Sequence, residues 1–201
     1  MKSLAGILLL TASSLALACG RAVDPNRVVL FVDANASFLE GQAAQRAACA
    51  RGESFLWLPG EEASRSMQQW ARGMSRVRDQ FYRLEYGDPR RETLEAEYTR
   101  LLQSRPTVPS VNATTVRAAL ASLANRGAAV TAAAFSGHDG GGEIGGELGA
   151  INKNDFGAAF QEAYGDRPAL AQQFQTALMW GCYTATRSEV SQWRGMFPGL
   201  R

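Results

Sequence analysis

A chain of 201 residues, 46% hydrophobic and 20% charged, is long enough to bury its own core as one domain. Its formal charge of +2, carried by scattered arginines, gives no reason to expect nucleic acid or an anionic surface as a partner. One histidine and three widely spaced cysteines form no recognisable zinc constellation, and no motif calls for a cofactor.

The first residues read as an address. Met1-Lys2 is a short basic start, residues 4–17 are apolar but too short for an ordinary spanning helix, and Ala16-Leu17-Ala18 satisfies the small-x-small cleavage rule. Residues 1–18 are therefore an export signal. The run Leu15-Ala16-Leu17-Ala18-Cys19 resembles a bacterial lipobox, with Ala16 where the strongest examples carry Leu. The resemblance implies a lipidated Cys19 and membrane attachment at the envelope. The alternative is a soluble periplasmic or secreted protein. Residues 19–27 read as a tether and 28–201 as the domain.

The β-branched run 28–32, ending in Asp33-Ala34-Asn35, predicts the first strand. Ser37 is placed to cap a helix to about residue 51, with Gly52 at its end, and 55–58 predicts a second strand stopped by Pro59-Gly60. Strand, helix, strand favours a parallel sheet. Across 61–104, Met67, Trp70, Met74, Val77, Phe81 and Leu84 recur at helical spacing and are assigned to the core. Gly87-Asp88-Pro89 separates a second helix through Leu94, Tyr98, Leu101 and Leu102, and the charges of both are read as a solvated surface. A helix over 113–125, capped by Asn112 or Ser110 and ending near Gly127, feeds the apolar strand 128–135.

That strand delivers the lone histidine, His138, into the glycine-rich stretch 135–149. In open α/β sheets ligands bind at the carboxyl ends of the strands. Gly140, Gly142 and Gly145 match a dinucleotide fingerprint, but glycines continue where its helix should begin, and no Lys-Ser/Thr follows for a phosphate loop. Asn152-Lys153-Asn154-Asp155 is a cap cluster before a helix through Phe156, Phe160 and Tyr164. A short helix through Leu170 and Phe174 then leads to a strand over 176–180 that ends at Gly181-Cys182-Tyr183. Ser188 is placed to cap a last helix through Val190 and Trp193.

Ser136-Gly137-His138 after an apolar strand, the glycine cluster, a helix, and a second strand ending in Gly181-Cys182-Tyr183 together resemble the caspase-like cysteine peptidases. That clan includes metacaspases, legumain, gingipains and clostripain. The resemblance implies a three-layer α/β sandwich, a mostly parallel sheet with helices on both faces. It implies cleavage of peptide or protein substrates by Cys182 as nucleophile and His138 as acid/base. The oxyanion donors would be the backbone N–H of Cys182 and one from Asp139 or Gly140, with Gly141, Gly142, Gly145 and Gly146 as a mobile flap. Two positions depart from the family pattern: Asp139 stands where a glycine usually follows the histidine, and Trp180 where an acidic residue usually precedes the cysteine by two. They define the competing expectation, an inactive caspase-like envelope protein that binds partners. The family continues to further strands after its last helix, and 197–201 read as the approach to one, so the expectation is either a truncated chain or a second chain completing the sheet. With Cys19 lipidated, Cys49 and Cys182 would remain as a pair able to form a disulfide, although Cys49 within Ala47-Ala48-Cys49-Ala50 looks more like a small buried thiol.

Overall fold

The structure, a computed structural model, describes residues 19, 22–140, 142–180, 187–197 and 199–200. Residues 1–18, which carry the expected export signal, Gly141 and Gly181-Cys182-Tyr183 lie outside them. In chain order the elements are β1 (Asp24–Asp33), α1 (Phe38–Ala50), β2 (Glu53–Leu58), α2 (Glu61–Tyr82), α3 (Arg90–Gln103), α4 (Ala113–Asn125) and β3 (Ala129–Ser136). There follow β4 (His138–Asp139), β5 (Glu143–Gly146), β6 (Gly149–Asn152), α5 (Lys153–Tyr164), α6 (Pro168–Ala171), β7 (Thr176–Trp180) and α7 (Arg187–Met196).

The main sheet has the order β2-β1-β3-β7, with every neighbouring pair parallel. Burial on both faces explains why β1 and β3 are continuous apolar runs rather than alternating ones. Val28, Leu30 and Val32 of β1 and Val130 and Phe135 of β3 pack on α4, α5 and α7 through Leu120, Leu123, Phe156, Phe160, Tyr164 and Trp193. Val29 and Phe31, with Phe55 and Trp57 of β2, face the other way onto Ala44 and Ala48 of α1. The result is the expected three-layer α/β sandwich. Phe156 anchors the first layer inside a ring cluster, 4.9 Å from Phe135 and 5.8 Å from Phe197 between centroids.

Several local expectations change. The sheet starts earlier than the apolar run: Asp24 pairs with Glu53 and its carbonyl accepts the Ser54 hydroxyl, so Asp24-Pro25-Asn26-Arg27 belong to β1 and not to a tether. Ser37 makes no side-chain cap on α1; its backbone N–H instead donates to Asp33 Oδ1 at 2.9 Å. Ser188 lies inside α7 rather than before it. Asn112 does cap α4, in a reciprocal box with Thr115. The apolar stripe of α2 is core only in part, because Met67 and Val77 are buried while Trp70, Met74 and Phe81 are half-buried. Met67 and Trp70 pack with Ala36 and Leu148, while Val77 and Phe81 lie beside Leu94 and Tyr98 of α3, and Trp70 Nε1 donates to the Leu101 carbonyl at 2.8 Å.

One buried ion pair joins the glycine-rich region to the last helix. Lys153, at the start of α5 and 8% exposed, donates through Nζ to both carboxylate oxygens of Glu189 in α7, at 2.6 and 2.8 Å. Breaking a buried pair strands the remaining charge in a low-dielectric site. Glu189→Leu, which strands the buried Lys153 ammonium, should therefore lower stability by about 3 kcal/mol, and Glu189→Leu combined with Lys153→Met should recover most of the loss. Urea denaturation of the three proteins checks this.

Candidate functional site

The carboxyl edge of the sheet is built by register. Asp33 of β1 lies opposite Ser136 of β3, and Ser136 opposite Trp180 of β7. Beyond this row, the Gly137 N–H donates to the Trp180 carbonyl at 3.3 Å, and the chain leaves the sheet into the antiparallel unit β4-β5-β6. His138, the first residue of that unit, is exposed, and among the described residues nothing hydrogen-bonds its ring. Cys182 lies outside the described residues, two positions along the chain from Trp180, just as His138 is two from Ser136.

The glycine cluster, expected as a flap, is a hydrogen-bonded hairpin. Glu143–Gly146 pairs with Gly149–Asn152, and His138 and Asp139 pair with Gly145 and Ile144. Of the expected flap residues, Gly145 and Gly146 lie in β5 and Gly142 is buried against the Lys153 side chain, with Lys153 N–H donating to its carbonyl. Gly141 lies outside the described residues. Close packing demands two of these glycines. A Cβ on Gly146 would strike the Ala34 carbonyl, and one on Gly149, whose φ is +119°, would strike the Val111 carbonyl. Backbone bonds fix this arrangement: Ala34 N–H to Ser136 O and Leu148 N–H to Ala34 O at 2.8 Å each, and Val111 N–H to Leu148 O at 2.7 Å.

The same pairing narrows the oxyanion donors. Gly140 N–H already donates to the Glu143 carbonyl at 3.0 Å, so it is not available to a substrate. Hydrogen-bonded and non-hydrogen-bonded pairs alternate along an antiparallel ladder, which puts Asp139 opposite Ile144 in a non-bonded pair and turns its N–H away from β5. Of the two expected residues, Asp139 alone has a backbone N–H with no backbone partner among the described residues.

The cysteines also depart from expectation. Cys49 is half-buried and disulfide-bonded to Cys19, so it is neither a buried thiol nor the partner of Cys182. A sulfur in a disulfide carries no lipid thioether. Lipidation and this crosslink are therefore alternative states of Cys19.

Beneath the edge lies a buried polar group that sequence reasoning did not single out. Asp33 is fully buried; its Oδ1 accepts the N–H of Asn35 and Ser37, while Oδ2 and the buried Ser136 hydroxyl make no hydrogen bond among the described residues. Burial pushes the Asp33 carboxyl above its ordinary 3.8, against the pull of the Ser37 N–H, the nearby Ser64 hydroxyl and the Asn35 N–H, and Glu40 adds to the rise. A carboxyl raised in the fold favours folding fully below its unfolded value and loses that contribution as pH rises through the folded value. Asp33→Asn keeps an acceptor for both loop N–H groups and removes the buried charge. It should raise stability at pH 8 by about 1 kcal/mol and flatten the dependence between pH 4 and 8, as read from melting temperatures.

In front of His138 opens a cleft of about 580 Å³. Its near wall is the loop after β1, Asn35 to Ser37, and its far wall is α2, where Gln68, Arg72, Ser75 and Arg78 fall three or four apart on one face. Trp70 and Tyr98 also line it, and Arg105 crosses one end. The Arg105 guanidinium lies 5.3 Å from the Trp70 ring centroid and donates to the Glu147 carbonyl at 3.0 Å. The α2 arginines are exposed, as the sequence predicts, and line the cleft as well. A signal was present: Arg72, Arg78 and Arg105 have no acidic residue three or four positions away, whereas Arg65 pairs with Glu61 and Glu62. A second cavity of the same size, between α5, α6 and Phe197, is lined by none of the expected site residues. Among the described residues no three His, Cys, Asp or Glu side chains gather as a metal site, and no helix is long and apolar enough to cross a membrane.

Compared with known proteins, the chain matches no family model, no curated protein and no solved structure.

Proposed function

We propose that this is an exported caspase-like cysteine peptidase in which Cys182 and His138 form the reacting pair. The observation that supports it best is the register Ser136 opposite Trp180, because histidine and cysteine each follow their paired residue by two at the ligand-binding edge of a parallel sheet. In this reading the Cys182 thiolate bonds to the carbonyl carbon of a peptide, and the developing oxyanion is held by the N–H groups of Asp139 and Cys182. The C–N bond then breaks, and His138 gives its proton to the leaving amine. Water attacks the thioester next, its proton passing to His138, and the acid leaves with Cys182 restored.

Cys49 is a second thiol wherever Cys19 is lipidated, so the rate of modification mapped to Cys182 itself is the informative quantity. Iodoacetamide at pH 6 should alkylate Cys182 at least ~10-fold faster than in the His138→Ala protein, because a neighbouring imidazolium favours the thiolate. Equal rates would remove the dyad.

A second reading, a binding module without turnover, is favoured by two observations. The Gly140 N–H is engaged, and Trp180, in place of the family's acidic residue, packs 6.1 Å from Phe31 in the core layer facing α1. Fast alkylation without hydrolysis of any peptide in a mixed library would select it.

Anchoring through a lipidated Cys19 belongs to the same proposal, as does a second chain pairing with β7. Among the described residues β7 is bonded only to β3, and Leu178 is 48% exposed. Lipidation expects wild type in the membrane fraction with Cys49 titrating as a free thiol, and release by Cys19→Ser. A soluble wild type whose Cys49 is blocked until reduction would establish the disulfide form instead.

A further inference from the structure

The cleft that His138 faces is unevenly charged. Arg72, Arg78 and Arg105 line it against one carboxylate, Glu147, and the described residues give neither Arg72 nor the Glu147 carboxylate an ion-pair partner. Arg78 is held loosely, with the Ser75 hydroxyl at 3.2 Å and Asp79 at 3.9 Å, both on its own helix. Arg105 is held firmly, by stacking over Trp70 and by the Glu147 carbonyl, and neither contact neutralises it. Two arginines with exposed heads, a third guanidinium held over the indole of Trp70, and that indole together form a receptor for a carboxylate on an apolar stem, since guanidinium groups bind carboxylates through paired N–H donors. The cleft is of a size that holds a few residues of a bound chain.

We propose that this cleft binds an acidic segment of a peptide or protein, placing an Asp or Glu side chain against Arg72, Arg78 and Arg105 while the neighbouring backbone passes His138. The inference rests on the reading of His138 as part of the reacting site, and it names the substrate class of that site. Lysine-bearing segments are disfavoured there by like charge.

The test separates binding from chemistry. The mature chain carrying Cys182→Ser is titrated into fluorescein-labelled alanine hexapeptides with a central aspartate, asparagine or lysine, and anisotropy is read at low and high salt. The aspartate peptide should bind ~10-fold more tightly than the asparagine peptide, with the difference shrinking in salt. Arg72→Gln with Arg78→Gln should abolish that difference, and Arg72→Glu with Arg78→Glu should turn the preference to lysine. Both arginines are exposed, so folding should survive, which the melting temperature checks. Equal binding of the aspartate and asparagine peptides, or a preference indifferent to the arginine changes, overturns the proposal. Wild-type hydrolysis is measured on the same peptides. Arginine-dependent binding without hydrolysis would remove the dyad and leave the acidic cleft standing, whereas hydrolysis indifferent to peptide charge would do the reverse.

Discussion

The parallel pairing of β1, β3 and β7 is the constraint on which the rest depends. Parallel strands end on the same side of a sheet, and this register aligns Asp33, Ser136 and Trp180 in one row. Everything of chemical interest follows from what the chain does in the next few residues. After Asp33 it makes a loop held by the aspartate's own Oδ1, and after Ser136 it turns at Gly137 into a hairpin. The two segments are then locked together, Ala34 donating to Ser136 and accepting from Leu148. The position of His138 is thus a consequence of backbone bonding, and the burial of both sheet faces supplies the energy that holds the register in place.

Much of this was legible in the sequence because the central strands β1 and β3 are buried on both faces. A run such as Ala129–Ser136 announces itself by continuous apolarity, and the helices around it by three- and four-residue spacing. What misled was local chemistry. Ser37 looks like a helix cap, but its hydroxyl accepts the Asn35 side-chain amide and its N–H donates to a buried aspartate four residues earlier. Glycines crowding a histidine give no hint of the hairpin they form, in which Gly146 and Gly149 are small because backbone carbonyls press on them. Tertiary contacts of this kind leave no periodicity to read.

The helical excursion α2-α3 shows the same limit from the opposite side. An amphipathic stripe predicts that a helix is covered, not what covers it, and here α3 shares the cover with Ala36 and Leu148. With the pair standing beside the carboxyl edge, the polar flank of α2 becomes one wall of the cleft, and arginines without local acidic partners face His138 across it. An apparently solvated surface is in this way drawn into the candidate site. The hairpin contributes the other side through Glu147, whose carbonyl receives Arg105.

The central claim is that His138 and Cys182 work on one acyl carbon. Incubation of the purified mature protein with peptidyl acyloxymethyl ketones of varied side chain, followed by intact-mass and peptide mapping, tests it most directly, because these reagents alkylate a thiolate only when it is poised at a bound acyl group. The account predicts a stoichiometric adduct on Cys182 that is lost in His138→Ala and in the presence of competing peptide. Absence of any adduct, or modification that persists unchanged without the histidine, would contradict it.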